Sequence, residues 1–397
     1  MSIGSPFHAR TAALNRKLQW REWAGAWAAS AYADSHLIEY TAIRESAALI
    51  DVSPLYKYRL SGPDAAELVD RVITRDASRL RVGQVWYTPW CDEAGKVIDD
   101  GTIARLDEQR FRWTAADPQL RWLRMNATGL DVAVEEISEA VAALAVQGPR
   151  SRELLEAAAG ASFADLRYFR RRPARIGRLE VDVSRTGYTG DLGYEVWVDA
   201  RRAPALWDAL LEAGRPFGAR PAGMLALDVA RIEAGFLLLE VDYTSSRAAL
   251  TPEQAYSPFE IGLGRLVDLD KPDFVGRRAL LAEREAGGPA RRLVGLVLDW
   301  TDVERLSAAR GLPPVAPAAA SRTPVPLFGP GGRQVGRITS TTWSPLLKQL
   351  IALASVEAPL AAPGTELGAE WTVEAHRGRV AARVVELPFH DPPRRRA

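Results

Sequence analysis

The densest glycine cluster in the chain is Gly187-Tyr188-Thr189-Gly190-Asp191-Leu192-Gly193-Tyr194-Glu195. Two readings fit it. Glycines serve a connection between strands that needs positive φ, or they let backbone approach a flat ligand on which Tyr188 stacks and to which Glu195 offers acceptor oxygens. The second feature is Asp99-Asp100, which closes a short strand after the turn Asp92-Glu93-Ala94-Gly95. Strand alternation sends the two carboxylates to opposite faces, so one can face a cavity. There it would orient a polar heterocycle or handle a proton; the competing reading is a solvent-facing turn pair. Trp86, Tyr87 and Trp90 surround this hairpin. Trp20, Trp23 and Trp27 recur at i, i+3, i+7, a helical spacing that speaks for core packing rather than a ligand box.

Other chemistries find few residues. The single cysteine, Cys91, has no neighbouring base and reads as packed, and one cysteine excludes an internal disulfide or a cysteine metal cluster. That usage fits a reducing cytoplasm. His8, His36, His376 and His390 lie far apart, so no metal site is expected. No P-loop, no GxGxxG after a strand and no GxSxG elbow occurs. With 51 Lys and Arg against 50 Asp and Glu, no excess of positive charge suggests nucleic acid. Only Lys17, Lys57, Lys96, Lys271 and Lys348 are lysines, a bias that reads as codon usage rather than phosphate binding. The first residues lack a signal peptide's apolar core, and no stretch approaches the ~20 apolar residues of a membrane span.

The elements that must position these residues follow from pattern. The 397 residues suggest two or three domains, and 47% hydrophobic with 25% charged residues excludes wholesale disorder. Apolar spacing predicts a helix over 40–50, a turn over 51–54 and a strand over 55–60. A helix follows with Asp64 as N-cap, then strands over 85–90 and 96–98 around the hairpin. Strands are expected over 141–146, 179–184 and 194–198, and helices over 150–158, 203–213 and 225–234, the last ended by Gly235. The final 110 or so residues read as an all-β module, with strands over 293–298, 335–341, 350–356 and 380–386 and a frayed tail over 392–397. Strands and helices in mixed order favour an α+β class.

Taken in chain order, seven segments resemble the tetrahydrofolate-dependent aminomethyltransferase family, whose best-known member is the T-protein of the glycine cleavage system. They are Ile50-Asp51-Val52-Ser53, Gly95-Lys96-Val97-Ile98-Asp99-Asp100, Val146-Gln147-Gly148-Pro149, the run from Arg185 to Glu195, Asp228-Val229-Ala230-Arg231-Ile232-Glu233-Ala234-Gly235, Asp273-Phe274-Val275-Gly276-Arg277 and Leu293-Val294-Gly295-Leu296. The resemblance implies an α+β, three-domain cloverleaf around a central folate-binding hole, with an all-β C-terminal barrel. Residues 1–54 and 141–285 would form a discontinuous folate-binding domain, 55–140 an inserted domain carrying the Asp99 hairpin, and 286–397 the barrel. It implies tetrahydrofolate as cofactor, Asp99 as the catalytic carboxylate beside the folate's reactive nitrogens and Glu195 as the pterin's hydrogen-bond acceptor. Tyr188 and Phe169 would line the pterin pocket, Tyr87 and Arg231 would contact the folate, and Trp27, Tyr32 and Trp86 would form the substrate wall.

The chain departs from the T-protein pattern at several positions. Pro54 stands for the usual His, Lys96 for a common Gly, Ala116 near a customary Asn, Leu227 for the Arg before Asp228, and Arg265 for an aromatic. These departures favour a methyltransferase or demethylase that moves a methyl group from a small donor to N5 of tetrahydrofolate. The alternative is an aminomethyltransferase, with a lipoyl-carrier protein as partner. A non-catalytic folate-binding branch carries a late Lys-Gly-Cys-Tyr signature, absent here.

Overall fold

Val141–Gln147 is an uncharged, nearly continuous apolar run, and it takes the place such a strand needs, between Gly193–Asp199 and Ala48–Asp51. The computed structural model describes residues 2–397. Strand alternation divides this run between two cores. Ala142, Leu144 and Val146 face helices Ser151–Ala159 and Ala203–Gly214, while Ala143 and Ala145 face helices His36–Glu45 and Met224–Glu233. The six-stranded sheet, completed by Arg171–Ile176, Leu179–Ser184 and Arg220–Pro221, therefore joins chain from both sides of the segment carrying Asp99.

That segment forms a five-stranded sheet in the order Val85–Cys91, Val97–Arg105, Arg110–Ala115, Tyr56–Ser61, Ala133–Glu136. Its core, around Trp90 and Trp113, is closed by helices Ala65–Val72 and Leu120–Asn126. The C-terminal strands close into a six-stranded barrel, as the α+β reading with an all-β end requires. No helix among the described residues is long and apolar enough to cross a membrane.

Several expectations are corrected. The helix predicted over 40–50 stops at Glu45, and Ala48–Asp51 is a buried strand; a short apolar run carries no period that separates the two. The Trp20, Trp23, Trp27 stripe is a hairpin of Trp20–Trp23 with Ala26–Ala29, turned by Ala24 and Gly25 at positive φ. Asp64 does not cap its own helix; its carboxylate accepts from the Asp131 amide at 2.7 Å. The barrel strand Glu366–Val373 went unforeseen because Gly and Glu dilute its alternation. The tail is docked rather than frayed. Arg394 donates to both oxygens of Asp191 at 2.6 and 2.7 Å, and Arg185 reaches the Arg394 carbonyl at 3.3 Å.

Helix Met224–Glu233 ties the sheets to the barrel. The fully buried Arg231 donates to Asp242 at 2.6 Å and to Ser340 of a barrel strand at 2.8 Å. Two residues on, Glu233 accepts from Arg44 at 2.6 and 2.9 Å, from Tyr40 at 2.7 Å and from Ser344 at 2.5 Å. Removing one member of such a buried pair strands the other charge. Arg44→Met should therefore cost ~3–5 kcal/mol in guanidinium-induced unfolding. A loss below about 1 kcal/mol would show that Glu233 is held by its hydroxyl donors alone.

Candidate functional site

The strand Val97–Arg105 delivers its two acids to opposite faces, as alternation requires. Asp99 is buried. One of its oxygens accepts the amides of Ala116 and Asp117, both at 3.0 Å, and the side-chain amide of Gln119 at 3.3 Å; the other accepts the Asp100 amide at 2.7 Å. Burial, and next the Asp100 charge, push the Asp99 carboxyl well above the ordinary carboxylate range. Asp100 is half-buried and accepts a hydrogen bond from the Tyr243 hydroxyl. Burial raises its carboxyl too, and the hydroxyls of Tyr243 and Tyr87 only partly offset that.

Three tyrosines close around Asp100. The hydroxyls of Tyr87, Tyr188 and Tyr243 are raised first by burial and all feel its charge. The Tyr188 hydroxyl donates to the Leu237 carbonyl, and its ring stacks on Phe236 with centroids 5.5 Å apart at 20°. On the next strand, half-buried Glu195 accepts from the Thr186 hydroxyl at 2.6 Å. Burial raises its carboxyl, while the Thr186 hydroxyl and the charge of Arg112 act the other way. Arg112 itself pairs with Asp182 at 2.8 Å and lies over Trp197 at 3.9 Å. Among the described residues, no cation lies within 4.0 Å of Asp99, Asp100 or Glu195.

The other expected residues fall into three groups. Arg231 is within charge range of Tyr188, but its guanidinium is committed to Asp242 and Ser340, and its Nε, which makes no hydrogen bond, lies 3.6 Å from Asp228. Phe169 sits at the seam between the two sheets. It holds φ at +58°, its amide donates to the Arg185 carbonyl at 3.1 Å and its carbonyl accepts from the Val85 amide at 2.9 Å; its ring meets Tyr168 edge-on at 4.6 Å. Trp86 lies under the Arg75 guanidinium, 3.7 Å away. Trp27 is exposed on the N-terminal hairpin, and Tyr32 packs toward Trp207 at 6.5 Å. Neither makes a hydrogen bond or ring contact with the Asp100 cluster.

In the glycine run only Gly190 takes positive φ, at +74°, and Gly187 and Gly193 serve close approach instead. A Cβ on Gly187 or Gly193 would lie 2.0 or 2.3 Å from the Gln147 side-chain oxygen. That amide donates to the Thr186 and Tyr194 carbonyls, each at 3.2 Å, and accepts from Thr189 at 2.9 Å. The glycines thus admit Gln147, and the chemistry stays with Tyr188 and Glu195. Sequence reasoning missed Tyr243, Gln119 and Asp242. Tyr243 and Asp242 lie in a segment with no apolar period, and no local signal marks any of the three.

Comparison with known proteins is consistent along the chain. The family described as GCVT N-terminal domain matches residues 7–271, and the glycine cleavage T-protein C-terminal barrel domain matches residues 291–391. The trimethylamine-oxide aldolase of Ruegeria pomeroyi is 37% identical across 100% of this chain, which spans only 48% of that protein's length. The aminomethyltransferase of Moorella thermoacetica is 37% identical, with 94% of each chain covered. The crystal structure of the glycine cleavage system aminomethyltransferase T from Bartonella henselae superposes with a TM-score of 0.81 at 25% identity, covering 98% of this chain and 99% of that one.

The Gln147 plug can be tested directly. Gly187→Ala should destabilise the chain by ~1–3 kcal/mol through overpacking, and adding Gln147→Ala should return part of that loss. Strictly additive losses in thermal or denaturant unfolding would contradict the plug.

Proposed function

The chain belongs to the glycine cleavage T-protein family and is an enzyme of one-carbon transfer, and on that premise we propose that it moves a methyl group from a small donor to N5 of tetrahydrofolate in the cytoplasm. The observation that carries this reading is the company kept by Asp99, Asp100 and Glu195. Asp99 is fully buried and Asp100 and Glu195 are half-buried, and all three are served by neutral N–H and O–H donors, with no ion pair among the described residues. Carboxylates held this way incur a desolvation cost that a donor-rich ligand offsets.

The residues present fit a reduced pterin. Glu195 and Asp100 keep part of their surface, so their acceptor oxygens suit ring N–H and amino donors. The Tyr188–Phe236 stack provides a flat face for a ring, and Tyr87 and Phe169 complete the pocket in this reading. Tetrahydrofolate, when bound, would supply the nitrogen that accepts the carbon. The chain then needs no covalent nucleophile of its own, in keeping with Cys91, whose thiol is buried and pushed up. Its part is positioning and charge. Of the two acids on this strand, half-buried Asp100 on the tyrosine side would take up the proton released at the acceptor nitrogen; Asp99, expected in that role, is fully buried on the opposite face with both oxygens held by N–H donors and would act only as a charge behind Asp100.

An aminomethyl transfer from a lipoyl-carrier protein is the second reading, favoured by the end-to-end match to the Moorella thermoacetica aminomethyltransferase. Against it stand Pro54, Lys96, Ala116, Leu227 and Arg265. Lys96 is engaged with Glu260 at 3.2 Å, Ala116 gives Asp99 only its backbone, and Arg265 carries charge where the family has an aromatic ring.

Three measurements test this reading. Calorimetric titration should show tetrahydrofolate binding that Glu195→Gln weakens by ~1–3 kcal/mol; no binding by the wild type would overturn the reading, and an unchanged variant would overturn the role of Glu195. Asp100→Asn should lower turnover ~10²-fold or more at matched melting temperature, with Asp99→Asn milder once folding is matched. Because the ionised carboxylate is the active form, wild-type rate should rise with pH through a value above the ordinary carboxylate range, and Asp100→Asn should lose that step; near-wild-type turnover of Asp100→Asn would refute it. Chromatography of the folate product should show 5-methyl-tetrahydrofolate. The 5,10-methylene form with an aminomethyl-loaded lipoyl carrier would select the second reading.

A further inference from the structure

Beside Tyr87, a cavity of about 280 Å³ opens between Trp86, Arg75 and the turn carrying Arg265 and Leu266. Its two lining acids are already matched. Asp76 pairs with Arg79 at 2.9 Å and accepts from the Ser78 hydroxyl at 2.5 Å, and Asp268 lies 3.7 Å from the same Arg79. Arg75 and Arg265 have no carboxylate within 4.0 Å among the described residues. Arg75 spends one N–H on the Tyr87 carbonyl at 3.1 Å and lays its flat face on Trp86 at 3.7 Å, which fixes the fork's orientation.

The two guanidiniums also feel each other. Burial, and then the like charge of Arg265, lower Arg75 to about 10. The charge of Arg265 also acts against the rise of the Tyr87 hydroxyl. Trp86 and Tyr87 lie on the strand Val85–Cys91, which pairs with the Asp100 strand with Pro89 opposite Asp100, so the cavity and Asp100 share one hairpin. Two adjacent guanidiniums with no anion between them form a receptor for a planar anion, which their forked donors grip in two-point fashion.

We propose that the Arg75–Arg265–Trp86 cavity binds a carboxylate of a ligand that reaches the Asp100 cluster. The proposal rests on the one-carbon-transfer reading and deepens it. Two sources share the chemistry: the glutamyl end of tetrahydrofolate, or the carboxylate of a methyl donor such as an N-methylated amino acid.

Arg265 is exposed on a short turn, so Arg265→Gln removes the charge without emptying a core. Full-length wild type, Arg265→Gln and Arg265→Lys would be titrated with tetrahydrofolate, with tetrahydropteroate, which lacks the glutamate, and with dimethylglycine. If the glutamyl end is the occupant, Arg265→Gln should weaken tetrahydrofolate about tenfold or more, leave tetrahydropteroate unchanged and be only partly restored by Arg265→Lys, which returns the charge without the fork. If the donor carboxylate is the occupant, the same loss should appear with dimethylglycine and with neither pterin. Equal affinity of wild type and Arg265→Gln for every probe bound would overturn the cavity's role, and so would a wild type that binds none of the three. A wild type that binds neither pterin but loses dimethylglycine on Arg265→Gln would overturn the folate reading and keep the carboxylate site.

Discussion

Arg231 has no solvent exposure, and a buried guanidinium persists only where its donors are answered. Asp242 answers it at 2.6 Å and is itself held by Thr339, Ser340 and the Leu238 amide at 2.6, 2.7 and 2.9 Å. This one ion pair joins the helix at the back of the six-stranded sheet, the irregular segment after it and the barrel. Asp242 is followed directly by Tyr243, whose hydroxyl donates to Asp100 on the five-stranded sheet. All three parts of the fold therefore meet at a single charge pair. The position of Asp100 relative to Tyr188 depends on that pair.

Buried acids in this chain fall into two electrostatic classes. Asp228, Glu233 and Asp191 each meet arginine, at 2.8 Å from Arg21 and Arg322, 2.6 Å from Arg44 and 2.6 Å from Arg394. These pairs fix register between distant segments and leave no acceptor for a ligand. Asp99, Asp100 and Glu195 have only neutral donors, and burial raises all three. Glu39 and Asp51 are also held by neutral donors alone and raised by burial, so lack of a cation does not by itself mark the site; what sets Asp100 and Glu195 apart is the surface they keep beside Tyr188.

Much of this was legible in sequence where local pattern suffices. The alternation across Asp99 and Asp100, the apolar run at Val141–Gln147 and the glycine C′ of the Arg231 helix each follow from a few adjacent residues. The residues Trp20 to Trp27 misled because a hairpin reproduced a helical spacing by chance. Gly187 and Gly193 left a strand connection and a ligand cradle both open, and the group they admit is Gln147, some 40 residues earlier. Tyr243 and the docking of Arg394 on Asp191 were invisible for the same reason: their meaning lies in partners 143 and 203 residues away. Local periodicity does not encode such pairings.

The central claim is that the cation-free carboxylates are the pterin's acceptors. A crystal structure of the full chain grown with 5-methyl-tetrahydrofolate tests it most directly. The account predicts the pterin edge within hydrogen-bond distance of Glu195, its ring against Tyr188 and its N5 side toward the Asp99–Asp100 strand. A pterin bound elsewhere, with Glu195 still engaged only by Thr186, would contradict it.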